Sequence, residues 1–265
     1  MTDPFDDNFE PPFGEPSRPV FGESSGAEER IDGLGDHLAV VTGATGLLGA
    51  AVAAELSARG AMVCLVGRDL ASLVVTAEQL GPGARSAVLQ CDLAVAEDVV
   101  SAVDFVERLD RPVDLVVHAA GLQAAARIAD GPVESLDEHY LLNVRGPYLL
   151  SQRLLPLLRD DGAQCVFFEG SEHPTAVVGD AHHEITRAAA RALASELRGE
   201  AARRGIRVIS VVATEEPAAE RGQVDPDRFA ASLASSVADS LSTPDLDVTE
   251  LRVRAVARPV RVEQR

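Results

Sequence analysis

The sequence predicts an α/β protein built on one doubly wound, parallel sheet of seven strands in a single domain, and three observations carry that expectation. From His37 onward apolar runs alternate with amphipathic segments of helical period, the alternation of a sheet whose helices return the chain to its starting edge. The first of those runs ends in a glycine trio, Gly43, Gly46 and Gly49, where strand gives way to helix. A chain of 265 residues, 46% of them hydrophobic, can bury one large core.

Each element has its own signal. The runs "HLAVVTG" from 37, "AMVCLVG" from 61 and "SAVLQCD" from 86 read as the first three strands, with helices near 47–59 and 70–80 between them. A helix near 96–109 leads to strand "VDLVVHAAG" from 113, and one long helix near 135–159 leads to strand "QCVFFEG" from 164. A helix near 181–204, strand "IRVISVV" from 206, a helix near 226–240 and strand "TELRVRAV" from 249 complete the series. Right-handed connections put a ligand crevice outside the carboxyl ends of the strands.

Composition excludes several function classes. A formal net charge of -18 opposes nucleic acid and anionic membrane as partners. There is no uninterrupted apolar stretch of spanning length and no basic leader before an apolar run, so a cytoplasmic protein is expected. Cys64, Cys91 and Cys165 are odd in number and sit in or beside apolar runs, which suggests buried thiols rather than disulfides or a zinc site. All 24 basic residues are arginine and none is lysine, a pattern that coding bias explains as well as chemistry does.

Residues 1–36 read as a disordered acidic tail, with ten acidic residues against Arg18 and Arg30. Four of the eight phenylalanines, Phe5, Phe9, Phe13 and Phe21, lie there, and aromatics in an acidic coil suit docking to a protein partner. An unselected leader of skewed composition accounts for them equally. The domain is expected to occupy 37–265.

The loop "TGATGLLG" has a physical purpose. Glycines at 43, 46 and 49, with Thr45 and Leu48 between them, allow a tight turn, close backbone approach to a pyrophosphate and packing of helix on strand. A Rossmann-type dinucleotide site follows. Arg68, about 20 residues on at the end of the second strand, stands where an arginine would meet a 2′-phosphate, which favours NADP(H) over NAD(H). Alternatively Arg68 faces water and Asp69 merely caps the next helix.

At this point the segment from about 37 to 257 resembles the short-chain dehydrogenase/reductase family. Asp92 and Leu93 match the family's adenine-contacting pair. "HAAG", with Ala119, Ala120 and Gly121, matches its Asn-Asn-Ala-Gly turn, and Asn143 matches the asparagine of its central helix. The resemblance implies that Thr214 keeps a contact to the nicotinamide carboxamide. It also implies dimers or tetramers through the helices near 135–159 and 181–204. The glycine spacing is that of the family's extended branch, whereas the short C-terminal part resembles its shorter branch. Val211 and Val212 stand where the family usually has Pro-Gly.

The family's catalytic pattern is a serine followed by Tyr-x-x-x-Lys. Here Ser171 matches the serine, but His183 stands at the tyrosine and Arg187 at the lysine. A spacing of four keeps the two on one helix face. The family's tyrosine protonates the alkoxide left after hydride transfer. An arginine one turn away opposes the imidazolium, so His183 reads as a possible base and a poor acid. Arg187 retains donors for the nicotinamide ribose. Tyr140 and Tyr148, the only tyrosines, read as packing residues.

A metal site drawn from His173, His182, His183, Glu172 and Glu184 fits no recognised ligand spacing. Two functions remain open. One is an NADP(H)-binding protein with weak or no reductase activity, serving a regulatory, partner or scaffold role. The other is an active oxidoreductase on a carbonyl or alcohol with a non-standard proton relay. The substrate pocket implied by the family falls in 171–182 and 213–226.

Overall fold

The computed structural model describes residues 33–171, 181–215, 225–241 and 248–255. Seven strands form one sheet in the order β3-β2-β1-β4-β5-β6-β7, and every neighbouring pair is parallel. These are β1 (Leu38–Thr42), β2 (Met62–Gly67), β3 (Ser86–Gln90), β4 (Leu115–His118), β5 (Gln164–Ser171), β6 (Arg207–Glu215) and β7 (Glu250–Ala255). The order reverses direction between β1 and β4. Such a switch opens a crevice at the strand carboxyl ends, where the glycine loop lies.

Side-chain alternation along the strands divides the core into two layers. Val40, Cys64, Val116 and Cys165 pack on one face with α3 (Ala96–Glu107), α5 (Gly146–Leu154) and α6 (Ala181–Ala201). Ala39, Val41, Leu65 and Val117 pack on the other with α1 (Leu47–Ala58), α2 (Leu70–Gln79) and α7 (Pro226–Leu241). All three cysteines are buried free thiols, and burial pushes each up to about 12. Local signals explain the boundaries: Asp69 caps α2 by accepting from the Ser72 amide at 2.6 Å, and that bond lowers its carboxyl pKa.

Three expectations need correction. Leu34, assigned above to the tail, is buried, and its amide donates to the Arg59 carbonyl at 2.8 Å. The folded part therefore includes Leu34, because its side chain closes the end of the α1 layer. The helix near 135–159 is not one regular helix: α4 (Val133–Tyr140) passes into a π-turn over Leu141–Arg145, then α5, then a 3₁₀ turn at Leu155–Leu157. Tyr140 and Tyr148 are 50% and 52% exposed, so neither packs within the chain.

Candidate functional site

The glycine loop is built by contact as well as by conformation. Gly43 adopts φ +62°, and a Cβ there would meet the Ala119 carbonyl and Ala120 backbone at under 3.0 Å. A Cβ on Gly49 would lie 2.2 Å from the Gly43 carbonyl oxygen, so the first turn of α1 rests directly on the loop. No side chain caps α1 at Gly46, which leaves its first amides for an anion.

These elements enclose a cleft of about 200 Å³ lined by Gly43, Thr45, Gly46, Arg68, Leu93 and the Ala119–Gly121 turn. Sequence reasoning missed Val66, Gly67, Cys91 and Leu142, which also line it. The first three are strand-end positions whose only signal was adjacency to Arg68 and Asp92. Leu48, Gly49, Asp92 and Arg187 are not among the lining residues. Leu48 is half-buried, and Gly49 serves the loop from beneath. The Asp92 carboxylate accepts from the Ala94 amide at 2.9 Å, holding the chain that follows β3. Arg68 is exposed, and its carbonyl accepts from Gln90 Nε2 at 3.1 Å. Asp69 is occupied as a helix cap, so both sequence readings of that dipeptide hold in part. The cleft's glycines, bare helix N-terminus and rim arginine fit a phosphate-rich dinucleotide.

The turn after β4 is fastened from below. Thr42 Oγ1 donates to the Val117 carbonyl at 3.1 Å and accepts from the Ala119 and Ala120 amides at 3.2 and 3.3 Å. His118, where the family motif carries asparagine, is 4% exposed, stacks on Phe167 at 4.3 Å, and shares a 3.0 Å hydrogen bond with Ser151. Burial pushes its pKa down to about 3.

Beyond the turn, Asn143 grips the peptide of Leu122. Its Oδ1 accepts from the Leu122 amide at 2.7 Å, and its Nδ2 donates to the Leu122 carbonyl at 3.0 Å. The same Nδ2 donates to Thr186 Oγ1 at 3.1 Å, which ties the π-turn to α6. His183 is half-buried, and its Nδ1 lies 3.1 Å from the same Leu122 carbonyl. Arg187 is buried one turn later, and its Nη1 donates to Glu184 at 3.2 Å.

The adjacent histidine has a different role. His182 is buried edge-on to His139 with ring centroids 5.8 Å apart. His139 Nδ1 donates to the Ser135 carbonyl at 2.6 Å, and its Nε2 accepts from the Ala124 amide at 3.2 Å. Both rings support the loop between β4 and α4. Ser171 ends β5 and Thr214 lies in β6, but their side chains fall outside the described residues, as do His173, Glu172 and most of the substrate-pocket segments. Among the described residues no three of His, Cys, Asp or Glu are grouped to hold a metal ion.

The short chain dehydrogenase family model matches residues 37–216. The chain belongs to that family. It is 29% identical over 227 residues to an uncharacterised oxidoreductase of Staphylococcus epidermidis, covering 83% of this chain and 98% of the relative. An uncharacterised oxidoreductase of Staphylococcus aureus is 28% identical over 233 residues, covering 84% of this chain and 99% of that one. Among solved structures, a metagenomic short-chain oxidoreductase in complex with NADP superposes with TM-score 0.74 at 23% identity, over 84% of this chain and 99% of its own. An alcohol dehydrogenase from the archaeon Thermococcus sibiricus, complexed with 5-hydroxy-NADP, gives TM-score 0.73 at 24% identity over 86% and 98%. These likenesses fix the fold. No helix among the described residues of this family member is long and apolar enough to cross a membrane.

Proposed function

We propose that this short-chain dehydrogenase family member binds NADP(H), that its carbonyl reductase activity is weak or absent, and that it acts as a regulatory, partner or scaffold protein. The observation that carries this reading is a formed dinucleotide cleft beside a helix in which His183 and Arg187 stand at the positions of the family's tyrosine and lysine. Gly43, Gly46 and Gly49 would hold the pyrophosphate, exposed Arg68 the 2′-phosphate, and Leu93 with the Ala119–Gly121 turn the cofactor's length. Asp92, Arg187 and Thr214 would complete the contacts by family position. When bound, the cofactor supplies hydride chemistry; the protein's part is to orient it and to move a proton.

The NADP-bound and NADPH-bound neighbours support the choice of phosphate form. In this reading residues 37–265 form the cofactor-binding domain, and the acidic tail with its four phenylalanines engages a protein partner. The protein works in the cytoplasm as a homodimer or homotetramer, for which half-exposed Tyr140 and Tyr148 offer apolar area on the central helices. Titration with NADPH and NADH, followed by a panel of carbonyl compounds, tests the proposal. NADPH should bind in the micromolar range or tighter without carbonyl-dependent oxidation. Failure to bind either dinucleotide would sink the cofactor assignment.

One observation favours the second reading, an active oxidoreductase with a non-standard relay: the His183 ring is fixed by a hydrogen bond rather than left to solvent. Here Ser171, Asn143, His183 and Arg187 would form the catalytic set. Measurable NADPH oxidation that His183→Ala and Ser171→Ala both diminish would select it.

A further inference from the structure

We infer that His183 is the site's proton acceptor, held with Nε2 unprotonated by the Leu122 peptide that Asn143 clamps, and that the site is arranged to oxidise an alcohol. The inference rests on the dinucleotide-binding reading above. A carbonyl oxygen can only accept, so the Nδ1 that faces Leu122 at 3.1 Å carries the ring's hydrogen. A neutral imidazole has one N–H, and Nε2 is then the lone-pair nitrogen.

The orienting group is itself immobilised. Asn143 takes the Leu122 N–H at 2.7 Å and gives one Nδ2 hydrogen to the Leu122 carbonyl at 3.0 Å. Its second Nδ2 hydrogen goes to Thr186 Oγ1, whose own hydrogen is directed to the His182 carbonyl at 2.9 Å. Turning the amide over would set oxygen against oxygen and nitrogen against N–H, so only one orientation satisfies all three partners. Asn143 thus secures both the acceptor that His183 bonds and the helix that carries His183. It is a positioning residue, acting through a backbone peptide in the way a carboxylate orients the histidine of a hydrolytic triad.

Direction of reaction follows from which proton carrier is ready. Reduction of a carbonyl needs an N–H aimed at the nascent alkoxide, whereas oxidation needs a lone pair aimed at a hydroxyl. In the oxidative step the hydroxyl proton passes to Nε2, the C–H pair leaves as hydride to the oxidised nicotinamide, and a carbonyl and an imidazolium remain. The imidazolium keeps its Nδ1–H bond to Leu122 and returns its proton to water.

Nitrogen-15 NMR of the full-length protein reads the tautomer without any cofactor, with His183→Gln assigning the signal among the six histidines. A protonated Nδ1 and bare Nε2 are expected, and Asn143→Ala should mix the tautomers. A wild-type ring carrying hydrogen on Nε2 would overturn the proposal, and an unchanged tautomer in Asn143→Ala would overturn the positioning role. With NADP⁺ and a panel of alcohols, oxidation should rise with pH through the imidazole titration and fall by about 10²-fold or more in His183→Gln. Bound NADP⁺ with no oxidation of any alcohol refutes the inferred direction while leaving cofactor binding intact. Absence of NADP⁺ binding defeats the cofactor reading and the oxidation together.

Discussion

The His118 ring makes folding stability depend on pH in a calculable way. It is buried at the end of β4 between Phe167 and Ser151, and among the described residues its Nδ1 has no hydrogen-bond partner. Its pKa is about 3 in the fold, against roughly 6.5 in an unfolded chain. Below pH 6.5 the unfolded state gains a proton that the folded state refuses, so stability is lost as pH falls from 6.5 toward 3 and the loss saturates below that. Each pH unit inside the window costs about 1.4 kcal/mol. Between pH 7 and pH 5 this one ring removes about 2 kcal/mol, a large share of a small domain's stability. His118→Asn replaces it with the residue that the family turn carries and retains a partner for Ser151. Urea unfolding of both proteins at the two pH values measures the difference, because every other titrating group contributes equally to each. The wild type should lose about 2 kcal/mol more than the variant on acidification. Equal losses would show that the ring is hydrated or protonated in the fold and refute the burial argument.

Three further outcomes are expected. Gly49→Ala forces a Cβ to within 2.2 Å of the Gly43 carbonyl oxygen and should cost about 1–3 kcal/mol by thermal or urea melts, with NADPH affinity falling as the loop shifts; an unperturbed melt refutes the contact. Arg68→Ala should weaken NADPH by about 10- to 100-fold while sparing NADH, from the loss of a charge-assisted bond of about 1.5–3 kcal/mol, and equal weakening of both in calorimetry would remove the 2′-phosphate assignment. Tyr140→Glu with Tyr148→Glu should shift size-exclusion elution toward monomer, since both rings are half-exposed on the central helices; an unchanged elution volume excludes that surface.

The fold was legible because each strand and helix has its own periodic signal, and parallel pairing follows from their alternation. The glycine loop was legible because its spacing answers to backbone contacts that the structure reproduces, Gly43 on Ala119 and Gly49 on Gly43. Less could be read where tertiary contact decides. "LLNVR" contains no proline or glycine, yet it makes a π-turn, and there Asn143 bonds Leu122 from the preceding loop. Cys91 and Leu142 meet in the cleft although 51 positions separate them, and no linear pattern marks that meeting. His139 looks like a surface residue of a polar helix, but it is fully buried because Ser135 and Ala124 satisfy both its nitrogens. Tyr140 and Tyr148 misled in the opposite sense, since aromatic character alone does not say which helix face meets the core.

The π-turn over Leu141–Arg145 gives the central helix one residue more than a regular ladder requires. Everything after it, including Gly146 pressed against the Leu93 backbone, is turned by about 100° relative to an unbroken continuation of α4. The two halves therefore answer to different neighbours, α4 to the loop that His139 supports and α5 to α3 and the cleft floor. Losing a single residue here would mend the helix and strengthen its own hydrogen bonds while swinging Asn143 off the Leu122 peptide. Helix regularity and site geometry are in opposition at this point, and a redesign that rewards the first alone would erase the second.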